Sequence, residues 1–115
     1  MQVDQTDQTG AVDATTAKQY IMSEDEFEWD EAKARLNLCK HGLSFEVARE
    51  AFDDFRAYEW ADEREDYGEE RFNLTGMVRS RLITVTYTIR DTKIRLISAR
   101  KAEPREGRQY HEQED

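Results

Sequence analysis

Apolar positions recur along this chain with two different periods, and the change falls near residue 54. Upstream, Ala32, Leu36 and Cys39 share one helical face, with Ala34 and Leu38 flanking it. Asp30 is a natural N-cap, and Glu31 puts a negative charge in the first turn, where the helix dipole favours it. Gly42 supplies a left-handed stop. The pattern predicts a helix from about Asp30 to Lys40. Ser44 caps a second helix, whose apolar positions are Phe45, Ala48, Ala51 and Phe52 with Val47 beside them, and Asp53-Asp54 ends it.

Downstream the period becomes two. Residues 55–60 (FRAYEW), 69–78 (EERFNLTGMV), 82–90 (LITVTYTIR) and 93–99 (KIRLISA) read as strands, with 61–68 as a polar loop. Arg79-Ser80-Arg81 and Asp91-Thr92 are tight connections. Phe72, Leu74 and Gly76 share a face, as do Ile83, Val85, Tyr87 and Ile89. Strict alternation puts Ile94, Leu96 and Ser98 on one face of the last strand and Lys93, Arg95, Ile97 and Ala99 on the other. Residues 27–29 can add a short strand. From Arg100 to about Gln113 the chain turns polar and helical, with Pro104 acceptable only in the first turn. The expected fold is α+β: a small antiparallel sheet of three to four strands, two N-terminal helices packed on one face, and a C-terminal helix.

Charge changes this picture more than hydropathy does. Charged residues make up 37% of the 115, against a usual share of about 25%. The net charge of −9 argues at first against a nucleic-acid partner, but residues 79–110 alone carry nine bases and three acids. A basic stretch of that kind can hold a phosphate backbone, since local field counts for more than net charge. The alternative is that these arginines pair with the acids of residues 46–70. Residues 1–26 are rich in Gln, Thr and Asp without a sustained period, a disordered-tail composition. The domain division expected is therefore a 1–26 extension and a single 27–115 domain. No run reaches the ~18 apolar residues of a membrane span. With one cysteine, Cys39, and two distant histidines, no metal-ligand pattern arises, no cofactor is implied, and a reducing cytoplasm fits best.

An ordered set of motifs then stands out. It runs from Phe27-Glu28-Trp29-Asp30 with Lys33 and Asn37, through Lys40-His41-Gly42 and Phe52-Asp53-Asp54, to Glu70-Arg71 and Gly76. Tyr87-Thr88, Arg95-Leu96-Ile97-Ser98-Ala99-Arg100, Ala102, Glu106 and Tyr110 complete it. In this order the motifs resemble the BrnT family, toxins of type II toxin–antitoxin modules. The resemblance implies a fold like the RelE ribonucleases and metal-independent RNA cleavage. It also implies neutralisation by a BrnA-like antitoxin, with operator DNA contacted only through that antitoxin. Gly107 stands where relatives often carry Arg or Lys, which dilutes the last helix.

Cleaving RNA without a metal uses the 2′-OH as nucleophile. It needs a base for that hydroxyl, an acid for the leaving oxygen, and positive charge on the phosphate. Arg71, Arg95 and Arg100 are candidate phosphate clamps, because a guanidinium meets two phosphate oxygens at once. Tyr87 offers a hydroxyl. His41 is the only histidine expected inside the folded core, with His111 in the C-terminal tail, and it can act as acid or base near neutrality, with Lys40 beside it for the phosphate. The structural alternative for Lys40 and His41 is helix C-terminal charge capping; for Tyr87 it is a core position. Asp30 and Asn37 read as a cap and a hydrogen bonder at the helix joint. A binding module that has lost catalysis, holding an antitoxin and tuning repression, is the rival function. Met22, five residues before Phe27, is a second possible translation start. An intact mass of the native protein beginning at residue 22 is expected on that reading, and a full-length mass rejects it.

Overall fold

The structure is a computed structural model that describes residues 26–64 and 68–113. The expected N-terminal extension therefore lies outside the described residues apart from Glu26. Strand β1 spans Phe27–Glu28, helix α1 Glu31–His41, and α2 Phe45–Ala48, which tightens into a 3-10 turn over Arg49–Asp53. Strands β2 (Tyr58–Ala61), β3 (Phe72–Val78), β4 (Arg81–Arg90) and β5 (Lys93–Lys101) follow, then α3 (Pro104–Glu112). The caps are those the sequence predicts. The Asp30 carboxylate accepts from Ala32 N–H at 2.8 Å and Lys33 N–H at 3.1 Å. Gly42 takes φ 69°, and Ser44 Oγ accepts from Val47 N–H at 3.1 Å.

The sheet has five strands in the order β1-β5-β4-β3-β2, not three to four. It is mixed: β2 to β5 form an antiparallel meander, while β1 pairs in parallel with β5. The extra strand comes from the Phe27-Glu28 segment, whose pairing runs only Phe27 to Ile94 and Glu28 to Arg95. Both two-residue hairpins, Arg79-Ser80 and Asp91-Thr92, sit at positive φ, as tight β-hairpins require.

The inner face carries the core. Leu74, Val85, Tyr87, Ile94, Leu96 and Ala99 pack under Phe45, Ala48, Ala51 and Phe52, all buried. Phe52 meets Tyr87 edge-on at 5.1 Å and Phe27 at 5.3 Å. A Cβ on Gly76 would lie 2.7 Å from the Ala51 carbonyl oxygen, so the 3-10 turn can close on β3 only over glycine. The helices are not all on one face. α3 crosses the outer face, where Thr84 Oγ1 donates to Glu106 Oε1 at 2.8 Å, so a polar helix meets the threonine row of β4 there.

Two expectations from periodicity fail. The Ala32-Leu36-Cys39 stripe does not face the core: Leu36 is 69% exposed, Cys39 is exposed, and Asn37 is the buried residue of α1. α1 lies along the edge of β5 and is tied there by an amide rather than by apolar burial. Asn37 Nδ2 donates to the Ala99 and Leu43 carbonyls at 2.9 and 3.0 Å, and its Oδ1 accepts from Ala99 N–H at 3.1 Å. The side chain thus pairs with the β5 edge as a strand backbone would. Strict alternation along β5 also fails. The register slips where Thr86 pairs with Ser98 and Tyr87 with Leu96, leaving Ile97 as a bulge residue. Beyond it, Ala99 faces the core, and Ser98 and Arg100 share the outer face with Arg95. Arg100 lies within β5, not past its end.

Replacing Asn37 with alanine would leave three buried backbone groups without partners, each costing about 1–3 kcal/mol with partial recovery by water. Asn37→Ala is expected to lower unfolding free energy by roughly 2–4 kcal/mol in urea titration. A loss under about 1 kcal/mol would show that α1 is held otherwise.

Candidate nucleic-acid interface

The candidate residues fall on three surfaces. The first is a hollow of about 500 Å3 between α1 and the β5 edge. Lys33, Leu36, Asn37 and Lys40 line it at one-turn spacing, with His41 at the helix end and Ile97 and Ser98 from the bulge. Among the described residues no carboxylate lines it. Neither Lys40 nor His41 takes part in an ion pair among the described residues. Both are exposed. The last-turn position of the pair also suits the helix dipole.

The second surface is the outer face of the sheet. Register places Arg95 beside Thr88, Ser98 beside Thr86 and Arg100 beside Thr84 on that face. Arg71 precedes β3 and falls on the same side by alternation from the core-facing Phe72. Each arginine holds a carboxylate: Arg95 with Glu28 at 3.2 Å, Arg71 with Glu69 at 3.5 Å, and Arg100 with Glu106 through two bonds of 2.8 Å. Hydrogen bonding to Glu106 raises the Arg100 guanidinium above its ordinary value. Burial pushes the Glu106 carboxyl up, but bonds from Arg100, the Glu103 N–H and Thr84 outweigh it and leave the group below the usual range. Asp62 is also lowered, mainly by its bidentate bond from Arg64.

Tyr87 lies on the third surface, the inner one. It is 1% exposed, its ring packs on Phe52 and Phe72, and its hydroxyl donates to Glu59 at 2.8 Å. Burial, reinforced by the Glu59 charge, raises its pKa far from any working range. The core alternative describes it, and it faces away from the hollow and the arginines.

The structure therefore brings Lys40 and His41 together with Lys33 and Ser98 and sets Arg71, Arg95 and Arg100 on an adjoining face. Lys33 and Ser98 were not singled out as site residues from the sequence. The Lys33–Lys40 interval, seven residues and hence two turns, is a readable signal for the first. Ser98 depends on the bulge, which strict alternation cannot reveal. Among the described residues, no group of three or more His, Cys, Asp or Glu side chains is placed to hold a metal ion. No helix among them is long and apolar enough to cross a membrane.

A family model described as the ribonuclease toxin BrnT of a type II toxin–antitoxin system matches residues 29–106, well over half of the chain. The chain belongs to the BrnT family. BrnT proteins are ribonuclease toxins as a family, and a type II module implies an antitoxin protein as partner. The matched span begins at Trp29 and ends at Glu106, so it includes α1 with its Lys40-His41 end, the whole meander and the Arg100–Glu106 pair. No curated protein matches the chain.

The Glu106 network has a pH signature. A carboxyl lowered in the folded state contributes stability that is fully present above its unfolded value of 4.5 and is lost as pH falls through the folded value. Glu106→Gln is expected to be less stable than the parent at pH 7 by about 1–3 kcal/mol. The gap should narrow steadily below about pH 4.5 when urea unfolding is repeated across pH. A gap independent of pH would mean that the charge of Glu106 is not what stabilises the fold.

Proposed function

We propose that this BrnT-family chain is an endoribonuclease that cleaves single-stranded RNA by attack of its own 2′-OH, without a metal. The observation that carries the reading is the hollow in which Lys33, Lys40 and His41 meet Ser98, with no acid among the described residues that line it. An imidazole there can take the 2′-OH proton and return one to the leaving 5′-oxygen, the two transfers the reaction requires. Two ammonium groups oppose the charge that builds on the phosphate in the transition state. Arg95, Arg100 and Arg71 extend the cationic track over the outer face for flanking phosphates. To serve there, each guanidinium shares its donors between phosphate and the carboxylate it now holds. The expected likeness to RelE ribonucleases belongs to this reading. So do inhibition of growth through RNA cleavage in the cytoplasm, a BrnA-like antitoxin as the neutralising partner, and operator contact through that antitoxin.

A second reading keeps the fold and discards the chemistry: a module that only binds an antitoxin. The observation favouring it is that all three expected phosphate clamps are engaged by Glu28, Glu69 and Glu106. Purified chain, free of antitoxin, is expected to cleave single-stranded RNA equally with and without EDTA. His41→Ala should lower the rate by about 100-fold or more, the usual contribution of a positioned acid or base, with unfolding unchanged. Arg95→Ala should weaken it less. Absence of cleavage, together with unhindered bacterial growth on expression, would favour the binding module; loss of cleavage in EDTA would reject the metal-free route.

A further inference from the structure

Across the outer face, one row of residues connects the hollow to a second opening. Register aligns Ser98 of β5 with Thr86 of β4, Asn73 of β3 and Trp60 of β2, all on the same side of the sheet. Ser98 lines the hollow at one end. At the other, Trp60 and Asn73 line a cleft of about 160 Å3, closed by Arg64, Arg100, Arg105 and Glu106. The two ends are three strand spacings apart, about 14 Å, which a few nucleotides of extended RNA span.

The two openings differ in chemistry. The hollow is cationic, with no acid among the described residues that line it. The cleft carries a slight acidic excess: Asp62, Glu63, Glu103 and Glu106 line it with Arg64, Arg100 and Arg105, and Arg64 is held by Asp62 and Arg100 by Glu106, each through two hydrogen bonds. A phosphate gains little there. An uncharged flat ring is less disfavoured, and an aromatic side chain is at hand: the half-buried Trp60 lines the cleft, with its ring 5.5 Å from that of Tyr58. Asn73 adds a second, independent feature. It is 5% exposed, and its Oδ1 accepts from Thr86 Oγ1 at 2.7 Å. Its Nδ2 has no acceptor among the described residues. That leaves amide N–H donors at the cleft for an acceptor on a ligand. The volume is about half the ~300 Å3 at which sites for drug-sized molecules begin, enough for one ring system and not for a stacked pair.

We propose that the Trp60–Asn73 cleft is a nucleobase subsite: it stacks one base of the RNA on Trp60 and hydrogen-bonds a base carbonyl or ring nitrogen through Asn73 Nδ2, while the phosphate to be cleaved lies in the Lys40–His41 hollow. The inference rests on the ribonuclease reading for the second half of that statement only. The base subsite is a binding property, and its test is separable from catalysis.

The probe is a short single-stranded 2′-O-methyl RNA, which lacks the nucleophile and reports binding alone. Its affinity is measured by fluorescence anisotropy with the full chain, alongside a set in which each nucleotide in turn is made abasic. Trp60→Ala is expected to weaken binding by about ten-fold or more, the usual effect of removing a stacking aromatic. Trp60→Phe should restore most of it. One abasic position should cost the parent protein a similar factor and cost Trp60→Ala nothing further, since both remove the same contact. Equal binding by Trp60→Ala and the parent, or an abasic penalty that survives in Trp60→Ala, overturns the subsite. Cleavage of ordinary RNA that depends on His41 would then still stand. Conversely, base-dependent binding through Trp60 without any cleavage keeps the subsite and removes the ribonuclease reading. Loss of antitoxin affinity in Trp60→Ala with RNA binding unchanged would assign the cleft to the protein partner and overturn the proposal.

Discussion

The placement of the candidate site depends on one side chain, Asn37. Its amide satisfies both the N–H and the carbonyl of Ala99, and also the Leu43 carbonyl just beyond the helix joint. β1 covers the β5 edge only at Ile94 and Arg95. Past that point the edge would be open, and an uncovered edge is both unsatisfied and prone to pair with other chains. Asn37 closes it at Ala99 and fixes α1 there. The same contact sets the Lys40-His41 end of α1 opposite Ile97 and Ser98, so the hollow follows from a hydrogen-bonding requirement of the sheet.

The bulge at Ile97 is the second constraint. Without it, two-residue alternation would place Arg95 and Ala99 on one face and Leu96 and Arg100 on the other. The single extra residue resets the count, so Leu96 and Ala99 both reach the core while Arg95, Ser98 and Arg100 gather outside. A buried guanidinium is avoided and an arginine row is gained by one local irregularity. α3 then covers part of that row, its Glu106 carboxylate bonded by Arg100, Thr84 and the Glu103 N–H.

Charge is distributed accordingly. On the outer face, Glu28, Glu69 and Glu106 hold the three arginines at 2.8 to 3.5 Å. The part-exposed Glu28 and Glu69 pairs are worth little in stability, whereas the Glu106 carboxylate is buried and its bonds help to hold α3. All three pairs quench the arginine row, while among the described residues the hollow is lined by Lys33, Lys40 and His41 without an acid.

Local signals in the sequence determined which segments become helix or strand and how α1 and α2 are capped. Asp30, Gly42 and Ser44 act through hydrogen bonds and backbone preferences spanning a few residues, and all three behave as read. The meander was legible because β3 and β4 alternate without interruption, although the strand expected over 55–60 forms over Tyr58–Ala61 and that expected over 69–78 begins only at Phe72. The ordered motifs were enough to reach the BrnT family. Tertiary structure decided the rest. Which face of α1 turns inward could not be read from apolar spacing, because its anchor is a polar residue bonded to a strand 62 residues away. The fifth strand needed a partner, β5, that a two-residue segment cannot specify alone. Tyr87 could not be recognised as a core residue by type, only by the Phe52 and Phe72 rings around it. The joining of Lys33, Lys40, His41 and Ser98 required the bulge and the helix tie together, and both are long-range consequences of satisfying buried backbone.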